Sequence, residues 1–366
     1  MKLTDLVLPS VAALKPYEPG KPIEEVEREL GISGAVKLAS NENPLGPSPK
    51  AVAALKAAID DLNRYPDGGS VTLIRKLAAH HGLTPAHIFM GCGSVEILNL
   101  LAYLFIRPGL NAVTSEHAFA IYELVDAASG GVTRTTPMKD YSFDLDAIGD
   151  AVDDRTRVIW LANPNNPTGT IYRREAWERL LARVPDHVVI VADEAYFEFV
   201  RDPQYPNALN YLDDQPRLIV LRTFSKIFGL AGLRVGYGVA HPEMVNLLNN
   251  VRQPFNINLL AQAAVLAAMD DHDHVRRTLE VNAQGIEYLE GEFRRLKVRF
   301  VPTQGNFFLV DVGDGVKTFD ALLRRGVIVR PMHGYGFPRH VRISVGLPEE
   351  NRRLVAALGE AIGAQS

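Results

Sequence analysis

Three runs of apolar and β-branched residues in this chain lead directly into side chains capable of acid–base and nucleophilic chemistry. Residues 158–161 precede the sequence NPNNPTG, residues 188–192 precede DEAY, and residues 218–221 precede RTFSK. If these runs are parallel strands of one sheet, the amide, carboxylate, phenol and amine groups that follow them meet in the crevice beyond the strand ends. Each motif alone also has an ordinary explanation, as a turn, a helix cap or a solvated lysine. Their repetition at three strand ends favours a catalytic site.

A fourth run, residues 88–90, leads into a glycine turn that can bind a phosphate. Gly91, Gly93 and Ser94 precede a predicted helix over residues 95–104, so backbone N–H groups and the helix dipole can face an anion. A dinucleotide-binding fingerprint needs a third glycine where this chain has Glu96, and no segment matches the P-loop pattern. The turn therefore indicates a phosphate site but not a nucleotide site.

The elements that must position these residues alternate between helical and strand patterns. In residues 50–62, apolar side chains recur at spacings of three and four, which predicts one buried face of a helix. Strand runs separated by such helices favour a mostly parallel sheet with crossover helices. From residue 281 onward the pattern changes to an amphipathic helix, two strand runs at 307–310 and 341–345, and a final helix. We therefore predict a large α/β domain followed by a smaller α+β domain.

Length and composition are typical of a soluble protein of about two domains. The chain has 366 residues, of which 47% are hydrophobic and 22% are charged. A net charge of -4 without a long basic run argues against nucleic acid as a partner. The longest apolar stretch, residues 97–106, is too short to span a membrane, and the N-terminus lacks the apolar core of a signal peptide. Together with a single cysteine, Cys92, these features predict a cytoplasmic protein without a membrane partner.

The motifs become specific when they are taken together. The sequences NPNNPTG (163–169), DEAY (193–196) and TFSKIFGLAGLR (223–234) resemble fold-type I aminotransferases that depend on pyridoxal 5′-phosphate (PLP). LKPY (14–17), NENP (41–44), RYP (64–66) and VRIS (341–344) extend the similarity over nearly the whole chain and resemble the histidinol-phosphate aminotransferase branch. The resemblance implies an α/β fold with a large domain around a mostly parallel seven-stranded sheet and a smaller α+β domain.

The resemblance also divides the chain and implies a homodimer. Residues 1–46 would form an N-terminal arm that belongs to the small domain, residues 47–252 the large PLP-binding domain, and residues 253–366 the C-terminal small domain. Tyr65 resembles a tyrosine that reaches across the dimer interface to the partner's cofactor phosphate. The alternative for Tyr65 is an aromatic turn residue before Pro66.

Roles around the cofactor ring follow from the same resemblance. Lys226 would hold PLP covalently and then act as general base and acid once the substrate amine displaces it. Asp193 would pair with the pyridine nitrogen and keep the ring electron-accepting. Asn166 and Tyr196 would hydrogen-bond the 3′-oxygen of the ring. Phe119 would stack on the ring face, at a position where tyrosine is usual.

The cofactor phosphate would be held by the glycine turn together with hydroxyl and guanidinium groups. Arginine suits such a site because its planar guanidinium can donate two hydrogen bonds to one phosphate. Cys92 and Val95 stand where polar residues are common in the family, which is harmless if backbone amides are the donors. The implied phosphate ligands are Gly93, Ser94, Val95, Thr223, Ser225 and Arg234.

Substrate recognition would fall to Tyr17, Asn43, Arg330 and Arg342. The two arginines would bind the phosphate of histidinol phosphate and, in the other half-reaction, the carboxylates of glutamate and 2-oxoglutarate. We therefore predict amino transfer from histidinol phosphate to 2-oxoglutarate. An aromatic amino-acid aminotransferase is the open alternative, since such enzymes share nearly the same residues, and a PLP-dependent decarboxylase of a phosphorylated amino acid is a less favoured one. The run DDHDH at residues 270–274 lacks a metal-ligand spacing, so no metal is predicted.

Overall fold

The computed structural model describes residues 2–14 and 20–363. Over these residues the α-helices are α1 (Pro9–Ala13), α2 (Ile23–Leu30), α3 (Pro49–Ala58), α4 (Val71–His81), α5 (Gly93–Phe105), α6 (Ile121–Ala128), α7 (Leu145–Ala151), α8 (Arg174–Arg183), α9 (Pro242–Val251), α10 (Leu259–Ala268), α11 (His272–Arg295), α12 (Gly315–Leu323) and α13 (Pro348–Gly363). The β-strands are β1 (Val36–Lys37), β2 (Ile88–Gly91), β3 (Asn111–Ser115), β4 (Val132–Thr136), β5 (Met138–Lys139), β6 (Ser142–Phe143), β7 (Thr156–Ala162), β8 (Val189–Asp193), β9 (Leu218–Thr223), β10 (Gly236–Ala240), β11 (Arg299–Val301), β12 (Phe307–Asp311), β13 (Val327–Ile328), β14 (Arg330–Pro331) and β15 (His340–Ser344).

A seven-stranded sheet forms the centre of the larger unit, with the strand order β2-β10-β9-β8-β7-β3-β4. The pairs from β9 through β8, β7 and β3 to β4 are parallel, whereas β10 runs antiparallel to both of its neighbours, β9 and β2. The predicted mostly parallel seven-stranded sheet is therefore confirmed. The sequence pattern predicts β2, β7, β8 and β9. It does not predict β3, the glycine-containing β10 or the edge strand β4, whose sequence VTRTT is largely polar.

The central strands are apolar because both faces of the sheet are covered. Residues 158–161 of β7 and residues 218–221 of β9 are fully buried, as are the large side chains of Trp160 and Trp177. A strand buried on both faces appears in the sequence as a continuous apolar run without alternation. That property made these strands recognisable and gives the strand ends a rigid base.

The smaller unit is built on a four-stranded antiparallel sheet with the order β11-β12-β15-β14. One face of this sheet packs against α11 and α13 through a core that includes Leu289, Phe293, Phe308 and Leu358. The short strand β1 near the N-terminus pairs in parallel with β13 of this unit. The segment before the larger unit is thus attached to the C-terminal region of the chain.

Helix α10 lies after the domain boundary predicted at residue 252, yet it packs with the larger unit. Its residues Ala261, Ala264, Val265 and Ala268 belong to the same core as the central strands. Small alanine side chains allow a close approach to the neighbouring helix α3. The division of the chain at residues 46 and 252 stays a prediction. In the described ranges, no helix has the length and apolar character needed to cross a membrane.

Candidate active site

A cleft opens beyond the carboxyl ends of β7, β8 and β9, which are neighbours in the larger sheet. Asn166 follows β7, Asp193 ends β8 and Lys226 follows β9. The strands bring these residues together because parallel strands share one carboxyl edge. The predicted site residues that line the cleft are Ser94, Val95, Phe119, Asn166, Asp193, Tyr196, Thr223, Ser225, Lys226, Arg234, Arg330 and Arg342.

Lys226 lies at the centre of this cleft, where its ammonium group donates a hydrogen bond to the carbonyl oxygen of Ser40 at 3.1 Å. Burial lowers the pKa of Lys226 to about 8, and the nearby positive charge of Arg342 acts in the same direction. A lysine with a pKa near neutrality carries a usable fraction of free amine at pH 7. The side chain is therefore suited to nucleophilic attack and to proton transfer.

Asp193 is buried at the end of β8, with only 5% of its surface exposed. Its Oδ2 accepts a hydrogen bond from the hydroxyl of Tyr122 at 3.0 Å, and its Oδ1 accepts one from the backbone N–H of Ala195 at 3.3 Å. Burial raises the pKa of Asp193 to about 6, against the opposing effect of these hydrogen bonds and of Lys226. Above that pH the carboxylate is ionised in a low-dielectric place, where it can bind a cationic ring nitrogen strongly.

Tyr122 is a functional candidate that sequence reasoning missed. Its ring is fully buried and stacks on Trp160, with the ring centroids 5.7 Å apart, so its hydroxyl is held against Asp193. The available signal was its position three residues after Phe119, whose ring meets that of Tyr122 edge to face at 5.8 Å. Residues three apart around a helix start share a face, so both rings lie on one side of the start of α6.

The two carboxylates of the DEAY motif lie in different surroundings. Glu194 forms a buried ion pair with Arg222, with Nη2 and Oε2 2.8 Å apart, and the Arg222 guanidinium also covers the ring of Phe197. Asp193 has no such cationic partner among its hydrogen bonds in the described part of the chain. Only Asp193 lines the cleft. The motif thus supplies one carboxylate to the site and one to the framework beneath it.

A cradle for an anion lies at the start of α5. Gly93 has φ +70°, and a Cβ at this position would lie 2.7 Å from Nη2 of Arg234, so any larger residue would displace the guanidinium. The helix begins at Gly93, which leaves the first backbone N–H groups of the helix free to bind an anion. On the facing side, Thr223 donates to the hydroxyl oxygen of Ser225 at 3.0 Å. These donors are of the number and type that hold a phosphate.

Arg330 and Arg342 approach the cleft from the smaller unit. They are directly opposite each other in the antiparallel pair of β14 and β15, so their side chains leave the same face of the sheet. Arg342 is buried and donates to the backbone carbonyl of Ala39 and to Oδ1 of Asn166. Two like charges placed opposite each other repel unless an anion lies between them. The pair therefore indicates a binding site for an anionic substrate group.

Asn43, predicted to bind substrate, lies behind the cleft wall. Its side-chain amide donates to the carbonyl of Ile227 at 2.9 Å and to the hydroxyl of Thr278 at 3.1 Å. These bonds hold the segment after Lys226 against α11. The cleft is lined instead by the neighbouring Asn41, which sequence reasoning missed. A direct contact between Asn43 and substrate stays a prediction.

Two predicted aromatic residues lie away from the cleft or outside the described part of the chain. Tyr65 is 82% exposed and stacks on the ring of Phe255, with centroids 4.7 Å apart. Tyr17 lies outside the described residues. The role of Tyr65 toward a partner subunit and the role of Tyr17 toward substrate stay predictions.

The acidic run at residues 270–274 has structural contacts. Asp270 forms an ion pair with Lys76 at 2.5 Å, and Asp271 accepts a hydrogen bond from the backbone N–H of His274 at the start of α11. Within the described ranges, no group of three or more His, Cys, Asp or Glu side chains is placed to hold a metal ion.

Comparison with known proteins agrees with this geometry over nearly the whole chain. Residues 33–358 match the family model described as aminotransferase class I and II. The chain belongs to that family. Histidinol-phosphate aminotransferase 2 from Pseudomonas aeruginosa is 49% identical to it over 360 residues, which cover 98% of this chain and 98% of the relative. Histidinol-phosphate aminotransferase from Caldicellulosiruptor saccharolyticus is 44% identical over 353 residues, which cover 96% of this chain and 99% of the relative.

Solved structures of aminotransferases share the fold. Histidinol-phosphate aminotransferase from Sinorhizobium meliloti, in complex with pyridoxal-5′-phosphate, superposes with a TM-score of 0.90 at 29% identity, covering 98% of both chains. Aspartate aminotransferase from Thermus thermophilus with maleate, at 21% identity and a TM-score of 0.82, shares the fold alone. The predicted fold-type I architecture and the predicted aminotransferase class are therefore confirmed.

Proposed function

We propose that this aminotransferase uses PLP to move an amino group between histidinol phosphate and 2-oxoglutarate. The observation that carries the proposal is the opposed pair Arg330 and Arg342 in the same cleft as Lys226 and Asp193. An amine and a buried carboxylate suit the chemistry of PLP, and two facing arginines suit a substrate with a multiply charged anionic group. The names of the curated relatives support the same substrate.

The residues of the cleft fit PLP by chemical type. Arg234, the hydroxyls of Thr223 and Ser225, and the N–H groups at the start of α5 would hold the phosphate. Phe119 would cover one face of the ring, and Asp193 would pair with the ring nitrogen. When bound, PLP supplies an electron-accepting ring that stabilises negative charge on a carbon of the substrate.

The protein's own groups would then do the remaining work. The lowered pKa of Lys226 lets its amine bind the cofactor and later accept and return the proton of the substrate carbon. Tyr196 and Asn166 would donate to the 3′-oxygen of the ring. Arg342 is held by Ala39 and Asn166 before substrate arrives, so less side-chain entropy is lost on binding.

Histidinol phosphate is favoured over an aromatic amino acid by charge. A phosphate near pH 7 carries close to two negative charges, whereas a carboxylate carries one, so the paired arginines gain more from the phosphate. Arg330, the less buried of the two, would be the residue that adds this selectivity.

The experiment compares histidinol phosphate with phenylalanine and tyrosine as amino donors, with 2-oxoglutarate as acceptor. We expect a higher kcat/KM for histidinol phosphate, and Arg330→Ala should reduce it about 10- to 100-fold while reducing phenylalanine turnover less. A clear preference for phenylalanine or tyrosine, with equal loss in Arg330→Ala, would make the protein an aromatic amino-acid aminotransferase. Turnover that releases carbon dioxide without an amino acceptor would indicate a decarboxylase.

A homodimer in the cytoplasm completes the proposal. Tyr65 and Phe255 form an exposed aromatic pair, a surface type enriched at protein interfaces, and the single cysteine, Cys92, is compatible with a reducing compartment. If Tyr65 serves the partner's site, mixed dimers of inactive Lys226→Ala and Tyr65→Ala subunits should contain one site with both native residues and regain activity. Activity no higher than dilution predicts would assign Tyr65 to its own subunit or to no catalytic role.

A further inference from the structure

Asn41 occupies a strained and fully enclosed position beside the candidate cofactor site. Its φ of 54° lies in the left-handed region, which asparagine tolerates better than most residues, and it is 1% exposed. Its Nδ2 donates a hydrogen bond to the hydroxyl oxygen of Tyr196 at 2.9 Å. Buried strain of this kind persists only where the surroundings impose it, and it is concentrated at functional sites.

Ser344 fixes the orientation of the Asn41 amide. The Ser344 hydroxyl accepts the backbone N–H of Asn41 at 2.8 Å, and it donates its single proton to Oδ1 of Asn41 at 3.1 Å. Because Oδ1 takes that proton, the NH2 group of the amide must face Tyr196. The backbone carbonyl of Asn41 in turn accepts from Nδ2 of Asn306 at 3.1 Å. Oδ1 and Nδ2 of the Asn41 side-chain amide each have a hydrogen-bond partner, Ser344 and Tyr196.

The phenol of Tyr196 has one proton, and its oxygen already accepts a hydrogen bond from Asn41. With Asn41 donating to its oxygen, the phenol uses that oxygen as an acceptor on one side and has its proton left for another acceptor. Tyr196 lines the cleft, and the charged groups that face it are Lys226, whose Nζ lies 5.6 Å from the ring centre, with Arg342 and Asp193. Lys226 and Arg342 are donors in their charged forms, so neither can accept the phenol proton.

We propose that Asn41 is a positioning residue that turns the hydroxyl proton of Tyr196 into the cleft, toward the 3′-oxygen of the bound cofactor. The inference rests on the proposed use of PLP. A received hydrogen bond also polarises the phenol and strengthens the bond that it donates. Asn41 would thus act on the cofactor through Tyr196, from a position in the N-terminal segment that Ser344 of β15, the strand that carries Arg342, holds in place.

The test measures the pH at which the visible absorbance of the PLP-loaded protein changes, without substrate and without turnover. A hydrogen bond donated to the 3′-oxygen stabilises the negative charge on that oxygen in the deprotonated form of the cofactor. Loss of this hydrogen bond should therefore raise the pH midpoint of the absorbance change. Tyr196→Phe sets the full shift. Asn41→Gly, which keeps the left-handed backbone but removes the amide, should raise the midpoint by about half a unit or more, part of the way to Tyr196→Phe.

Asn41→Asp sharpens the test, because its carboxylate would accept the phenol proton and remove it from the cleft. We expect a shift close to that of Tyr196→Phe. In the double variant Asn41→Gly with Tyr196→Phe, the Asn41 change should add nothing, since the two residues act through one bond. Asn282→Ala is the matched control: its side-chain amide is buried and donates to the backbone carbonyl of Gly305, and it does not line the cleft.

Two outcomes would overturn the inference. One is a shift in Asn41→Gly no larger than in Asn282→Ala, and the other is an Asn41→Gly shift that adds in full to that of Tyr196→Phe. If the native protein shows no PLP absorbance at all, the proposed function fails instead. The two failures are therefore distinguishable.

Discussion

The cleft has two walls that are built in different ways. The sheet wall lies at or just after the ends of strands of the larger sheet, and it consists of Phe119, Asn166, Asp193, Thr223, Ser225, Lys226 and Arg234. The arginine wall consists of residues 39–41 with Arg330 and Arg342, and it is held by contacts between residues 303 positions apart. On the sheet wall, function is placed on a rigid frame. On the arginine wall, the functional residues themselves connect segments that are distant in the chain.

This difference has an energetic counterpart. Burial moves the pKa values of Lys226 and Asp193 toward neutrality, to about 8 and about 6, so both charged forms are disfavoured in the folded, cofactor-free protein. Arg342 instead satisfies the carbonyl of Ala39 and the amide oxygen of Asn166. We therefore expect substitutions on the sheet wall to lower activity and raise stability. Substitutions on the arginine wall should lower both activity and stability.

Lys226→Met should have the largest effect on activity. Loss of the amine removes both the covalent link and the proton transfer, so turnover should fall roughly 10⁴-fold or more. The lowered pKa means that native stability rises with pH between about 8 and the unfolded-state value, and that the ammonium destabilises the fold below pH 8. The cofactor-free variant should therefore be more stable than native at pH 7, as measured by urea unfolding.

Borohydride reduction of the native protein should place the pyridoxyl label on Lys226. A label on another lysine would contradict the assignment.

Asp193→Asn should have the next largest effect. Single-turnover rates should fall about 10²- to 10³-fold, since one fixed charge at the reacting group is lost, while PLP still binds. In the folded protein the pKa of Asp193 is raised to about 6, so between about pH 4 and pH 6 the folded protein holds a proton that the unfolded chain releases. Native stability therefore falls as the pH rises through this range. The cofactor-free variant should gain about 1–3 kcal/mol over native at pH 8 and much less at pH 4. Equal stability differences at both pH values would contradict this account.

Arg342→Lys tests the other wall. Lysine cannot donate the paired bonds of the guanidinium, so kcat/KM should fall about 10- to 100-fold for phosphate and carboxylate substrates alike. Unlike the two sheet-wall variants, this one should also lose about 1–2 kcal/mol of unfolding free energy, because the carbonyl of Ala39 loses its donor. A gain in stability would remove the distinction between the walls.

Gly93→Ala should have the smallest effect and acts on cofactor binding. The added Cβ meets Arg234, so the dissociation constant for PLP should rise about 10-fold, while kcat at saturating PLP changes little. Gly313→Ala is the control, since Gly313 also has positive φ, at +82°, but has open space around it. Equal effects of both variants on PLP affinity would trace the loss to backbone strain rather than to the displaced guanidinium.

Sequence reasoning succeeded best where function follows an apolar strand. Asp193 and Lys226 were located because β8 and β9 are buried on both faces and their motifs follow without a gap. Tyr122 escaped because a tyrosine at the start of an amphipathic helix has the pattern of an ordinary core residue. In the NENP motif the sequence predicts Asn43 as a substrate ligand; in the structure Asn43 donates to the carbonyl of Ile227, and Asn41 lines the cleft.

The family, the strands that carry the motifs and the chemical types of the groups at their ends can be predicted from the sequence, because these depend on residues close together in the chain. Which atoms meet depends on tertiary packing: the pairing of Tyr122 with Asp193, the opposition of Arg330 and Arg342, and the bonds of Asn41 to Ser344 and Tyr196. Such contacts join residues up to 303 positions apart. Local pattern carries no information about their register or about the direction of a single hydroxyl proton, since both are fixed only when distant segments of the chain pack together.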